Sequence, residues 1–374
     1  MVEITGLCPP AFAPVRDRFA AHFDQGLELG ARFTACIDGE VVLDLMGGSA
    51  DLAGTTPFGP DTLTPVFSTT KAVTAILVAG LVERGLVTYD TPVSEVWPEF
   101  AQAGKEGVTL GQMMSHQAGL AGFDVSADPA IWFEPEAVAA RLAAQAPMWP
   151  LGSGSGYHPI TFGYLAGEVF RRLDGRTIGT ALRQDIAEPH GLDVWIGLPD
   201  SEHGRCAQLR KPPAAPDLGP IDAIKTAAFL DRGSAPAGRG AADWRRVEMP
   251  GSNGHATAEA VARLMSVVSG DGTLGEQTVL SPSTLAELTR ERVRGPDKVV
   301  PFTLGWAAGL MRNEGLNAFG PGRQALGHYG WGGSMAMADP ERGLSAAYVM
   351  NRQSVHLIGD PRPVALMDAL YAAL

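Results

Sequence analysis

Pro65-Val66-Phe67-Ser68-Thr69-Thr70-Lys71-Ala72-Val73-Thr74-Ala75-Ile76-Leu77-Val78-Ala79-Gly80-Leu81 is the stretch around which the chain is organised. Pro65 and the Ser-Thr-Thr run are helix start signals, and no breaker follows before Gly80 and Gly85. A helix apolar on nearly every side belongs at the centre of a domain. Its first turn nevertheless carries a hydroxyl and an amine at i and i+3, so Ser68 and Lys71 share one face. An unpaired ammonium on an interior helix is costly, which makes chemistry the reason to keep it there.

That chemistry is a nucleophile and its activator. A serine hydroxyl needs a neighbour to take its proton, and burial disfavours the charged form of lysine, moving its pKa toward that of a usable base. The helix N-terminus offers unpaired N–H groups and a favourable dipole, so the Ser68 N–H is a candidate half of an oxyanion hole. Among the five lysines (71, 105, 211, 225 and 298) only Lys71 has a serine three residues before it. Arginine, which supplies most of the positive charge, cannot give up a proton; a lysine kept at one interior position fits a need for a group that can. The competing reading is an N-capping serine with a snorkelling lysine.

The 374 residues suit two lobes better than one core. A 45% apolar and 19% charged composition is that of a globular enzyme. A net charge of −12 argues against nucleic acid and anionic membranes as partners, and a strongly anionic substrate would need a local basic pocket. Cys8, Cys36 and Cys206 are widely spaced with no C-x-x-C pair, which fits reduced thiols. With no basic n-region or long apolar segment at its start, the chain is expected to be cytoplasmic. The eight histidines show no H-x-H or H-x-x-x-H spacing, so neither metal nor cofactor is expected.

Phe12 to Leu29 reads as an amphipathic helix, followed by strands 32–37 and 41–45 joined by the hairpin signal Asp38-Gly39. Helices are expected over 109–116, 135–146, 160–173, 177–186, 257–268 and 363–374. His116 is expected to be structural, tied to backbone. Leu151 to Gly156 is a glycine loop that fits no nucleotide-binding fingerprint. Pro212 to Gly240, rich in Pro, Gly and Ala, reads as a long excursion of the kind that lines or covers sites. Apolar strands return at 302–311, 324–329, 334–338 and 344–350. The expected fold is therefore α/β (α+β): an antiparallel sheet domain from residues 1–91 and 270–374, with a mostly helical domain, 92–269, inserted and a cleft between them.

Three motifs give this chain its resemblance to the serine β-lactamase and penicillin-binding-protein superfamily, and within it to the class C β-lactamase-like carboxylesterases, the family VIII esterases. Ser68-Thr69-Thr70-Lys71 matches Ser-x-x-Lys; Tyr157-His158-Pro159 occupies the place of the Tyr motif; His328-Tyr329-Gly330, followed by Trp331, stands where β-lactamases carry Lys-Thr-Gly. The resemblance implies a β-lactamase/transpeptidase-like fold and a Ser68 acyl-enzyme. Lys71 and Tyr157 would form the proton-transfer pair, Lys71's charge lowering the Tyr157 pKa, with the base unassigned between them. The Ser68 and Trp331 N–H groups would form the oxyanion hole, the latter on the strand beside the nucleophile. His328, Gly330 and the Trp331 indole would border the substrate. Pro159 in place of asparagine and His328 in place of lysine point to short-chain neutral esters, small-molecule substrates, over penicillins. β-Lactamase, D-aminopeptidase and acyltransferase activities are the alternatives on the same fold. Phe123 and Trp132, which follow the His116 segment, are further candidates for the cleft wall.

Two rivals stand outside that reading. In a Ser-His-Asp hydrolase the nucleophile would be Ser334, in Gly332-Gly333-Ser334-Met335-Ala336, which lacks the last glycine of the elbow. A non-catalytic acyl-group sensor would not need Ser68, Lys71 and Tyr157 together.

Overall fold

In the computed structural model, which describes residues 2–374, the described residues form one nine-stranded sheet with every neighbouring pair antiparallel. Across it lie Ile4–Leu7, Glu40–Gly48, Gly30–Ile37, Leu344–Met350, Met335–Asp339, Leu326–Tyr329, Met311–Arg312, Thr303–Trp306 and Val293–Pro296. The two ends of the chain meet in the middle, where Ala31 faces Met350 and Ile37 faces Leu344. The Asp38-Gly39 hairpin forms as expected. Both residues have positive φ (49° and 83°), the twist that fits a two-residue connection between antiparallel strands.

Both faces of this sheet are covered, which is why its two central strands are largely apolar, with Arg32, Thr34 and Ser345 as buried polar exceptions. Along the last strand Leu344, Ala346, Tyr348 and Met350 join one core, shared with the helices Ala13–Asp24 and Pro361–Ala372. Ala347 and Val349 join the other, shared with the helix Ala258–Ser269. The period-two alternation survives, but both sets are apolar. The Thr70–Glu83 helix lies in this second core, against the Thr161–Asp174 helix and the Leu326–Tyr329 strand, and Lys71 to Ala79 are all buried in it. It is the central helix that its composition called for.

Three local readings change. The expected 302–311 strand is two strands, Thr303–Trp306 and Met311–Arg312, because the chain turns over at Ala307–Leu310 with Gly309 at φ 85°. The first helix ends at Asp24, five residues early. A second sheet, Thr64–Phe67 with Gly254–Ala256 and Val194–Trp195, had no signal, since strands of two to four residues carry no periodicity. We propose to keep the two-lobe division but to move its second boundary ahead of residue 258. The helix Ala258–Ser269 packs on the sheet strands Gly30–Ile37, Met335–Asp339 and Leu344–Met350, not on the helical layer alone. Among the described residues no helix is long and apolar enough to cross a membrane.

Candidate active site

The strand Thr64–Phe67 delivers the chain to Ser68 through a sharp corner. Phe67 has φ 47°, a left-handed conformation that a bulky residue adopts only when its surroundings hold it there. Thr70 supplies the hold: its hydroxyl donates to the Phe67 carbonyl and accepts the Gly254 N–H at 2.8 Å. Thr69, not Ser68, is the N-cap residue of the helix, so the half-buried Ser68 hydroxyl is not spent on capping.

Lys71 is wholly buried, and its Nζ has three partners: Ser68 Oγ at 3.2 Å, Pro159 O at 2.8 Å and Gly251 O at 2.7 Å. Burial holds its pKa well below the ordinary lysine value. Nζ also sits 4.9 Å from the centre of the Tyr157 ring. Tyr157 and Ser68 line the same cavity, near enough for the Ser68 hydroxyl to act on the Tyr157 pKa, so the structure brings the serine, lysine and tyrosine together. Electrostatics run against one expectation. Burial pushes the Tyr157 phenol above its usual pKa, the nearby Ser68 hydroxyl opposes this, and the Asp297 charge adds to it. Tyr157 is positioned by Asp297, whose half-buried carboxylate accepts its backbone N–H at 2.9 Å and those of Val299 and Val300. Its ring stacks on Trp306, 6.0 Å away and nearly parallel.

The far wall is the end of the Leu326–Tyr329 strand. Gly330 has to be glycine: a Cβ there would lie 2.2 Å from Val66 O and 2.1 Å from Ser334 Oγ, so the nucleophile strand can approach only a residue without one. Trp331 sits beyond the strand, in the turn to Met335–Asp339, not on the strand as expected. That turn is clamped from outside. Arg362 donates to Gly332 O at 2.6 Å, Gln353 to Trp331 O at 3.1 Å, and the Gly332 N–H to His356 O at 3.0 Å. The Ser68 and Trp331 N–H groups have no hydrogen-bond partner among the described residues. Both residues line the same cavity of about 440 Å³, together with Tyr157 and His328.

His328 is buried, and its Nδ1–H donates to Tyr329 O at 2.7 Å, which leaves Nε2 as an unpartnered acceptor. Burial, then the Lys71 charge, keep its pKa well below the usual imidazole value, so the ring is neutral. His116 is tied to backbone, its Nδ1 accepting the His158 N–H at 3.2 Å. Phe123 is absent from the cavity wall: it stacks on Trp132 at 4.7 Å in the core, with the Arg141 guanidinium above its ring. Ser334 is a buried strut that donates to Val66 O at 2.7 Å and bonds the Thr69 hydroxyl at 3.1 Å.

The sequence reading missed Gly251 and the Pro159 carbonyl as lysine partners, together with Asp297 and Arg362. Backbone carbonyls leave no trace in residue identity. Lysine burial also proved a weaker signal than expected, since Lys105 and Lys225 are buried too.

A serine hydrogen-bonded to a lysine with a tyrosine ring beside them, between an antiparallel sheet and a helical layer, defines the β-lactamase-like class of serine hydrolases. The Beta-lactamase family profile matches residues 19–369, and the chain belongs to that family. It is 33% identical over 367 residues to the esterase/beta-lactamase LipL of Mycobacterium tuberculosis, covering 94% of this chain and 83% of that one. Among solved structures it is similar to a novel penicillin-binding protein homolog from Caulobacter crescentus, at 59% identity and a TM-score of 0.98. It is also similar to a family VIII carboxylesterase, at 38% identity and a TM-score of 0.93; both structures are covered over 100% of each chain.

Proposed function

We propose that the protein hydrolyses carboxylic esters through a Ser68 acyl-enzyme, with Lys71 as the base. The observation that carries this is the partner set of Lys71 Nζ. A neutral amine has two N–H bonds, and the carbonyls of Pro159 and Gly251 can only accept, so they take both. The lone pair is left facing Ser68 Oγ. Oγ attacks the ester carbon as its proton passes to Lys71, and the developing oxyanion meets the Ser68 and Trp331 N–H groups. The bond to the alcohol then breaks, and the proton held by Lys71 returns through the Tyr157 hydroxyl to the departing alkoxide. A water molecule attacks the acyl-enzyme and gives its proton to Lys71. That proton restores the Ser68 hydroxyl, and the carboxylic acid leaves.

Ester specificity is supported by what lies opposite. His328 is neutral where a fixed cation would hold a lactam carboxylate, and Pro159 offers a carbonyl already bonded to Lys71 in place of a side-chain amide. The name borne by the family VIII carboxylesterase favours the same reading, that of the esterase/beta-lactamase LipL carries both activities, and that of the Caulobacter homolog favours a penicillin-binding alternative. The test is a panel of p-nitrophenyl esters of increasing acyl length beside nitrocefin, run on wild type, Ser68→Ala and Tyr157→Phe. Ester turnover abolished by Ser68→Ala, with kcat lowered roughly 10²- to 10⁴-fold by Tyr157→Phe, is the expected result. Efficient nitrocefin hydrolysis with inert esters would overturn the reading.

A further inference from the structure

The cavity has an apolar interior and a cationic mouth. Leu218, Ala228, Phe229, Val300 and Ile358 line the interior, while Lys211 and Arg239 stand at its edge, both exposed. Arg239 lies over the Trp331 indole, 4.6 Å from its ring centre. Next to Lys211 in the chain, the Arg210 backbone is bridged to that of Arg352: the Arg210 N–H donates to Asn351 O at 2.7 Å, and the Gln353 N–H to Arg210 O at 3.0 Å. None of these four cations joins an ion pair among the described residues. Elsewhere arginines are commonly paired, as Arg32 is with Asp44, Arg205 with Asp193 and Arg362 with Glu28. The nearby acid on the Lys211 loop, Asp217, is turned to the Gly219 N–H at 2.8 Å.

Two unneutralised cations at one opening, on a chain of net charge −12, concentrate positive potential where a substrate enters. The inner wall offers no further cation, since His328 is neutral and Lys211 and Arg239 are the only lysine and arginine among the lining residues described. An apolar segment therefore fits inside and a negative group outside. We infer that the enzyme prefers esters carrying a second, anionic group separated from the ester by an apolar spacer, such as monoesters of dicarboxylic acids, with the free carboxylate held between Lys211 and Arg239. The inference rests on the esterase reading and adds the substrate class to it: the ester end is uncharged and the remote end is not. Arg239 lies within the Pro212–Gly240 excursion, and Lys211 immediately precedes it.

The test uses matched pairs that differ by one charge. For the acyl half these are p-nitrophenyl hydrogen adipate and p-nitrophenyl methyl adipate; for the alcohol half, 4-(butanoyloxy)benzoate and its methyl ester. In at least one pair kcat/KM should favour the anion by roughly three- to tenfold for each cation engaged, the scale of one charge contact in partly solvated surroundings. The advantage should shrink as sodium chloride is raised. Lys211→Gln should erode the anion-to-methyl-ester ratio and Lys211→Glu reverse it; Arg239→Gln should erode it as well. Because Arg239 also packs on Trp331, the Lys211 variants carry the decision. Turnover of both members of each pair with no anion preference, or a preference untouched by Lys211→Glu, overturns this inference alone. If all four esters are inert, the esterase reading falls and takes the inference with it.

Discussion

Lys71 and Lys105 are both fully buried lysines whose amines are met by backbone carbonyls, and they differ in a single partner. Lys105 donates to the carbonyls of Gln102, Ala143 and Gln145, one acceptor for each proton of an ammonium. It is a complete and inert staple that ties the end of the Pro135–Ala144 helix to the Gln102 segment. Lys71 has two carbonyls, and its third neighbour is the Ser68 hydroxyl, a group that can itself release a proton. Burial lowers both pKa values, Lys71's well below the ordinary one. Burial of an amine therefore does not separate a base from a staple; the chemistry of its last partner does.

Replacing each lysine by methionine should break that comparison most visibly. Lys71→Met is expected to lower kcat/KM for p-nitrophenyl butyrate roughly 10³-fold or more, the scale of losing a proton-transfer partner. Lys105→Met should leave kcat of the folded enzyme within about twofold but orphan three carbonyls, at about 1–3 kcal/mol each by the usual cost of unsatisfied groups, seen as a lowered Tm. The opposite pattern would mean that the roles have been exchanged.

The pH profile gives a second expectation. Lys71 works as a base only when deprotonated, so kcat/KM should fall as pH drops through its depressed pKa, about tenfold per pH unit below it. Because burial raises the Tyr157 pKa, its phenol stays protonated and the plateau should extend into the alkaline range. An acid limb centred near the ordinary lysine value of 10.5 would contradict a buried neutral amine. The smallest effect is expected at Ser334, whose hydroxyl bridges Val66 and Thr69. Ser334→Ala should cost about 1 kcal/mol in chemical denaturation, the usual net value of such bonds, with ester turnover retained. Loss of activity there would favour the nucleophile elbow that the Gly332–Ala336 stretch only partly resembles.

Much of the fold was legible because the signals were local. The Asp38-Gly39 turn, the 344–350 run and the central helix each declare themselves within a few residues. Phe123 was misread because an aromatic residue near a cleft in sequence can still turn inward, and it stacks on Trp132 instead. The second sheet was invisible for lack of length, although its Phe67–Gly254 pairing sets the corner at which Ser68 sits.

By itself the sequence determined that a hydroxyl and an amine stand three residues apart at the mouth of an interior helix, where the turn leading into it keeps them on one side. Only the tertiary structure decided what that amine does. Its two carbonyl partners lie 88 and 180 residues away along the chain, and the phenol beside it is held by Asp297, 140 residues from Tyr157. Contacts of that range depend on how distant parts of the chain pack together, and a backbone carbonyl looks the same at every position of a sequence.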